Sequence, residues 1–192
     1  SGSKTFFLVG NASSISSALD AARYGETTMA EFQDMITDTQ TSLPVPALIM
    51  TAKRTIADIE SLQPDENKVS LKRMVARFDI DNDKDETNFT VKGIIIKSAS
   101  LQGYIFDDAV RTPATMETGN IPRIAFTGND TDYQGPSEGV FYMYPTVLVN
   151  DGTELSLEGE IFGQTRLYSL QSATDVPLEP TKRYTIKARA VA

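Results

Sequence analysis

The residues of this 192-residue chain best suited to metal chemistry are three aspartates at alternate positions, Asp81, Asp83 and Asp85. Alternating carboxylates suit calcium, which binds six to eight oxygen ligands. A helix–loop–helix calcium loop counted from Asp81 would require Gly at its sixth position and Glu at its twelfth, where this chain has Glu86 and Lys92. Aspartate, asparagine and lysine between two strands are also ordinary turn residues. We expect a solvated hairpin and keep calcium as the alternative.

Catalytic chemistry has few candidate residues in this sequence. Glu158 and Glu160 could form the carboxylate pair of a glycosidase, but both lie on the polar face of a predicted strand, where water solvates them. The chain contains no histidine and no cysteine. This excludes a Ser-His-Asp triad, a histidine-ligated zinc site and a cysteine nucleophile built from this chain alone. We predict that the protein is not an enzyme and uses no cofactor.

Two tyrosines form the most conspicuous aromatic pair. Tyr142 and Tyr144 lie at strand spacing, with Phe141 and Met143 beside them. Aromatic side chains at this spacing pack in a core or on a sheet face, whereas exposed ones can stack on a sugar ring. The sequence predicts core packing and keeps a sugar-stacking platform as the alternative.

The charge balance bears on the partners of the protein. The formal net charge is −8. Binding to nucleic acid requires clustered lysine and arginine, whereas the densest basic groups here are the pairs 53–54 and 72–73. No apolar run approaches the ~20 residues that span a bilayer. We therefore predict no nucleic acid partner and no transmembrane segment.

Apolar residues alternate at period two along most of the chain, which is typical of half-buried strands. The clearest case is 183–191, where Tyr184 and Ile186 share one face and Thr185 and Lys187 share the other. The predicted strands are 4–9, 46–51, 54–59, 68–80, 88–98, 101–106, 122–127, 138–149, 153–162, 165–170 and 183–191.

One predicted strand, 68–80, changes phase along its length. Leu71 has one parity, whereas Phe78 and Ile80 have the other. One residue inserted near Lys72, as in a β-bulge, would return all of them to a single face. A strand that is buried on both faces in its middle is the alternative.

Helices are few in this sequence. Thr28 followed by Glu31 forms a capping box, and Phe32 and Ile36 then recur at helical spacing. A second short helix is predicted around 15–23. Both predicted helices precede the second strand.

Apolar periodicity is lost around 107–121, where proline, glycine, threonine, asparagine and aspartate concentrate. This segment predicts a domain boundary. Many strands with few helices predict an all-β fold. We predict two β-sandwich domains in series, 1–110 and 111–192, with one or two short helices in the first. Whether the second domain is complete or incomplete stays open at this point.

Six stretches are informative as an ordered set. They are FLVGNA at 7–12, VSLKRMVARFDI at 69–80, FTVKGIII at 89–96, LQGYIF at 101–106, FYMYP at 141–145 and KRYTI at 182–186. Their order and spacing resemble the Bacteroidetes-type fimbrillin family, the major and minor subunits of type V pili. The resemblance extends over nearly the whole chain.

The resemblance implies two transthyretin-like β-sandwich domains and a role as structural subunit or accessory adhesin of a cell-surface fimbria. In such pili a protease removes the first strand of a secreted lipoprotein precursor. The end strand of a neighbouring subunit then fills the open groove by donor-strand exchange, a form of β-augmentation. The implied partners are pilin subunits of the same fold and a host or bacterial surface receptor. The implied location is extracellular, at the bacterial cell surface, with attachment to the outer membrane through the lipid anchor of the precursor.

The strands expected before Thr5 and the lipobox cysteine of the family do not occur in this sequence. The segment from Tyr184 to Ala192 is the candidate donor strand. We expect contacts between subunits at a sheet groove or edge within 1–106. The alternative is a surface β-sandwich module that binds carbohydrate or protein without polymerising.

Overall fold

Alternation of apolar and polar side chains produces strands in every part of the described chain apart from the short helical segment. The computed structural model describes residues 2–12, 15–39, 48–59, 68–82, 87–106, 118–125, 135–148, 153–170 and 174–188. These ranges contain twelve strands and two short helices, which confirms the all-β prediction. The elements are β1 (Lys4–Gly10), α1 (Ser16–Asp20), α2 (Met29–Gln33), β2 (Met50–Ile56), β3 (Lys72–Arg73), β4 (Ala76–Asn82), β5 (Phe89–Ser100), β6 (Thr118–Ala125), β7 (Gly135–Met143), β8 (Val147–Leu148), β9 (Glu154–Ile161), β10 (Gln164–Ser169), β11 (Val176–Pro177) and β12 (Arg183–Ala188).

Two sheets enclose the larger hydrophobic core. One has the strand order β10-β9-β5-β6 and the other the order β12-β4-β7. Their buried side chains belong to a single cluster that includes Phe78 and Phe141 from one sheet and Ile94, Ile96 and Leu157 from the other. The rings of Phe78 and Phe141 stack at 4.6 Å. The two sheets therefore form a sandwich around this core.

A smaller sheet, β1-β2-β3, lies at one end of this sandwich. One face of β1 packs on the helical segment, where the Phe7 ring lies 5.0 Å from that of Phe32 and 4.8 Å from that of Phe106. A second buried cluster there includes Ile105, which follows β5, and Tyr144, which follows β7. Side chains from the small sheet, the helices and the end of the sandwich thus form one apolar cluster.

The phase change predicted within 68–80 has a cause other than a bulge at Lys72. The segment divides between two sheets, because Lys72 pairs with β2 of the small sheet and Ala76 begins β4 of the sandwich. Met74 and Val75, between them, are buried in the second cluster. Each half therefore belongs to a different sheet, and the second half faces the sandwich core whereas Leu71 in the first half is 41% exposed. A register shift does occur in β4, but it lies between Phe78 and Ile80, opposite β7.

Strand pairing crosses residue 110, where the sequence predicted a boundary between two domains. β5, which precedes it, pairs with β6 and β9, which follow it. β4 likewise pairs with β7 and β12. The described strands of 1–110 and 111–192 therefore share one sandwich core, because their backbones hydrogen-bond to each other. The transthyretin-like assignment and the domain limits stay predictions.

Candidate assembly site

β12 occupies one edge of the sandwich, and it pairs with β4 in parallel. The register places Arg183 beside Arg77 and Ala188 beside Asn82. The Arg77 amide donates to the Lys182 carbonyl at 2.9 Å. The two strands are separated by about a hundred residues in the chain, so the last described strand closes a sheet begun in the first half. This is the arrangement of an added edge strand.

The side chains of β12 alternate between core and solvent, as the sequence predicted. Ile186 is buried and Tyr184 is half-buried, whereas Thr185 and Lys187 are exposed. The Tyr184 ring stacks on that of Phe78 at 5.5 Å. Main-chain bonds to β4 combined with alternate side chains in the core are what an inserted strand needs in order to be held and recognised.

The phenol of Tyr184 also fixes the turn that leads into β12. Its hydroxyl donates to the Pro177 carbonyl at 2.9 Å and accepts from the Glu179 amide at 2.9 Å. The Thr181 amide donates to the Val75 carbonyl at 3.1 Å. The start of β12 is therefore anchored to the strand before it and to the residue that precedes β4.

A buried carboxylate joins the outer face of β4 to β12. Asp79 is only 2% exposed, and its Oδ1 accepts from Arg77 Nε at 2.9 Å. Its other oxygen forms an ion pair with Arg183 Nε. A buried carboxylate requires such partners, because an uncompensated charge in this position would be strongly unfavourable. The local sequence pattern does not indicate these two ion pairs, although Asp79 stands between two core residues of one strand.

A second candidate edge is the outer side of β1 in the small sheet. In the part of the chain that the structure describes, no strand pairs with the outer side of β1, since the sheet order is β1-β2-β3. The expectation of a contact edge within 1–106 thus has two candidates, the outer side of β1 and the side of β4 now covered by β12.

The three candidate calcium ligands are only partly described. Asp81 lies in β4, while Asp83 and Asp85 lie outside the described residues. Among the residues that are described, no three acidic side chains group into a metal site. The solvated hairpin therefore stays a prediction, with calcium as its alternative.

The tyrosine pair splits between two environments. Tyr144 is 2% exposed, and this burial raises the pKa of its phenol, an effect that the neighbouring Thr37 only partly offsets. A Cβ on Gly103 would lie 2.6 Å from the Tyr144 ring, so the ring fills the space next to that glycine. Tyr142 is half-buried beside the second cluster. The prediction of core packing is confirmed for Tyr144, which cannot stack on a sugar.

Glu158 and Glu160 lie on the outer face of β9. Their register partners on β5 are Gly93 and Thr90, and Glu160 is exposed. Both belong to the polar face that the alternation predicted. No described helix is both long and apolar enough to cross a membrane.

Solved structures of fimbrial and adhesion proteins share this fold. A candidate cell adhesion protein from Parabacteroides distasonis ATCC 8503 has a TM-score of 0.61 and 14% identity, over 97% of this chain and 66% of that one. The tip fimbrial protein Mfa3 from Porphyromonas gingivalis, with C-terminal truncation, has a TM-score of 0.57 and 14% identity, over 98% and 76%. A fimbrial assembly protein from Parabacteroides distasonis ATCC 8503 has a TM-score of 0.55 and 15% identity, over 97% of this chain and 65% of that one.

The comparisons by sequence give no match: no protein-family model matches the chain, and neither does any curated protein. The chain spans about two thirds of the length of the first structure it resembles. At 14–15% identity the likeness concerns the fold. At that level it confirms the resemblance to Bacteroidetes-type fimbrial proteins that the ordered sequence stretches indicated.

Proposed function

We propose that this chain is a structural subunit or accessory adhesin of a bacterial cell-surface fimbria, and that its subunits join by donor-strand exchange. The fold shared with fimbrial and adhesion proteins supports the general role. The same likeness supports a location at the cell surface and other pilin subunits as partners. Attachment through a lipid anchor of the precursor belongs to the same proposal.

The observation that carries the exchange step is the parallel seating of β12 on β4. The strand is held by main-chain bonds, and it places Ile186 and Tyr184 against the sandwich core. If β12 of one copy leaves β4, the vacated edge exposes Phe78 and its unpaired backbone groups, which favour pairing with an equivalent strand. β12 of a second copy can supply the same side chains in the same register.

Engineered cysteines test this exchange directly, because the chain contains none of its own. Lys187 and Asp81 are register partners across the β12–β4 pair. Neighbouring strands lie about 4.8 Å apart, which is within the Cα separation of roughly 4.4–6.8 Å that disulfides accept. We would mix the single variants Lys187→Cys and Asp81→Cys under oxidising conditions and separate the products without reductant.

Exchange predicts a disulfide-linked heterodimer in this mixture. Thr185→Cys mixed with Asp81→Cys is the matched control, since Thr185 pairs with Asp79 and lies two residues out of register. The chain that carries both Asp81→Cys and Lys187→Cys should close internally and migrate as a monomer. If that chain closes but the mixture gives no heterodimer, even after unfolding and refolding together, the exchange step is wrong. A surface binding module that does not polymerise would then fit the fold better.

A further inference from the structure

The turn between β9 and β10 places a large aromatic residue in an unfavourable backbone conformation. Gln164 pairs with Ile161, so Phe162 and Gly163 form a two-residue turn, and both have positive φ, 47° and 75°. Such turns favour Asn-Gly, because a bulky residue fits the left-handed region poorly. Phe162 is also 84% exposed, so little packing within the chain compensates for this conformation. Backbone strain at an exposed aromatic residue is an indication of function.

This hairpin tip, Phe162-Gly163, lies at the end of the sandwich remote from the small sheet. Along β5, Phe89 pairs with Ile161 next to the tip, and Lys97 pairs with Glu154 at the other end. The eight residue-to-residue steps between Phe89 and Lys97 separate these ends by roughly 26 Å. Beyond Lys97 the chain continues to Ile105, which is buried against the small sheet and helices. The tip and the small sheet are therefore at opposite poles of the molecule.

The small sheet presents an apolar surface at its pole. Phe7 packs on the helical segment, so Phe6 and Leu8 lie on the other face of β1, because successive side chains alternate. Phe6 is 42% exposed and the nearby Leu71 is 41% exposed. Ala52 is the register partner of Leu8 and extends this surface onto β2. We name this surface, lined by Phe6, Leu8, Ala52 and Leu71, the open face.

The open face is basic, whereas the tip carries an exposed carboxylate next to Arg166, whose guanidinium bonds to the Gln164 side chain. None of the residues of β1, β2 and β3 is acidic, whereas these strands contain three lysines and two arginines. Arg54 is the register partner of Phe6 and so lies on the open face. At the tip, Glu160 is exposed, and its Oε1 would be 3.9 Å from a Cβ on Gly163. Complementary charge favours an encounter between the tip of one copy and the open face of another.

We propose that the hairpin tip of one copy docks on the open face of the next, with Phe162 as the aromatic anchor. A contact between different surfaces at opposite poles does not close on itself and produces a linear, head-to-tail array. The inference rests on the proposed assembly function, and it adds a contact that requires no exchange of strands. Exposed aromatic residues that enter an apolar surface are common anchors of protein interfaces.

The test uses the full chain locked by the internal disulfide of Asp81→Cys and Lys187→Cys, in which β12 cannot be exchanged. Sedimentation velocity over a concentration series measures its self-association. Phe162→Asn removes the anchor and suits the turn, so its thermal midpoint should equal or exceed that of the parent. Phe6→Ser with Leu71→Ser removes the apolar side chains of the open face. Leu167→Ser is the matched control, since Leu167 is 54% exposed on the same hairpin but away from the tip.

The locked chain should associate, and each of the two changes should weaken association at least about tenfold, while Leu167→Ser leaves it unchanged. A mixture of the tip variant and the face variant retains one intact tip and one intact face. It should therefore form heterodimers and nothing larger. A locked chain that stays monomeric, or a mixture that forms no heterodimer, would overturn the docking proposal. Neither result concerns strand exchange, which the cysteine mixture tests separately.

Discussion

At the residue scale, the approach of β5 to β9 depends on Gly159. A Cβ at this position would overlap the Thr90 carbonyl oxygen and the Phe89 ring. Gly159 is the register partner of Val91, next to the point where the β5–β9 register shifts. The missing side chain thus lets the Phe89 ring cover the end of the core.

We predict that Gly159→Ala destabilises the fold by about 1–3 kcal/mol, because the strand or the ring must move to admit the methyl group. Urea unfolding followed by circular dichroism measures the change. Gly10→Ala is the control, since the nearest atom to its Cβ would be Leu71 Cδ1 at 3.4 Å, an ordinary contact. Equal effects of the two substitutions would contradict the role given to Gly159.

The ion pairs of Asp79 provide a second prediction at this scale. Asp79→Asn removes the charge that both Arg77 and Arg183 bind, and hydrogen bonds to charged groups contribute about 1.5–3 kcal/mol. We expect the free energy of unfolding to fall by that amount. Amide hydrogen exchange should become faster than in the parent chain, and more so in β12 than in β5. Glu154→Gln breaks the exposed pair with Lys97 and should cost less than about 1 kcal/mol. Unchanged exchange in β12 would show that the Asp79 pair does not hold this strand.

At the element scale, the sequence predicted the positions of many strands and few of their partners. The predicted strand 101–106 contains an isolated bridge at Tyr104, and the two strands predicted at 46–51 and 54–59 are replaced by the single strand β2. Alternation in 183–191 gave the inward and outward faces of β12 correctly, because a half-buried edge strand repeats at period two. The parallel pairing with β4 has no local signal, since it depends on residues about a hundred positions away. The same reason explains why 68–80 was predicted as one strand, although its halves join different sheets. Ile95 is half-buried on the outer face of β5, although its neighbours Ile94 and Ile96 lie in the core.

The helix α2 was predicted from its capping box, because this motif depends on residues only three positions apart. The Thr28 amide donates to Glu31 Oε2 at 2.8 Å, and the Glu31 amide donates to Thr28 Oγ1 at 3.2 Å. The bond from the Thr28 backbone, and then that from its hydroxyl, lower the pKa of Glu31. A lowered pKa means that this interaction is fully present above the ordinary glutamate pKa and is lost as the pH falls through the lowered value.

We therefore predict that the Glu31 carboxyl, followed by NMR in an acid titration, has a midpoint below that of an ordinary glutamate. Thr28→Ala removes the hydroxyl bond and should raise the midpoint part of the way, because the backbone amide remains. Glutamate in an unstructured peptide provides the reference. A Glu31 midpoint equal to that reference would mean that the capping box does not persist in solution.

At the scale of the whole molecule, the sandwich is conserved in structures that are only 14–15% identical to this chain. A sandwich requires an alternation that gives two apolar sheet faces, and many different residues satisfy it. Alternation predicted the strand 183–191, and the family resemblance made the segment from Tyr184 to Ala192 the candidate donor of the proposed assembly site. Its acceptor could not be predicted, because the edge of β4 becomes a groove only when two sheets from distant parts of the chain are assembled.

The proposed acceptor edge of β4 can be isolated by removing the proposed donor strand. We predict that a chain lacking residues 182–192 binds a synthetic peptide of that sequence, because the peptide restores the bonds to β4 and returns Ile186 to its buried position. Fluorescence anisotropy of the labelled peptide measures the affinity. Ile186→Asp in the peptide should weaken binding by at least about tenfold, since a buried aliphatic side chain contributes roughly 1.5–3 kcal/mol. Thr185→Asp, which faces solvent, should have little effect. If the shortened chain keeps its β-sheet circular dichroism but does not distinguish the two peptides, β12 is not recognised by its alternating side chains, and donor-strand exchange at β4 must be abandoned.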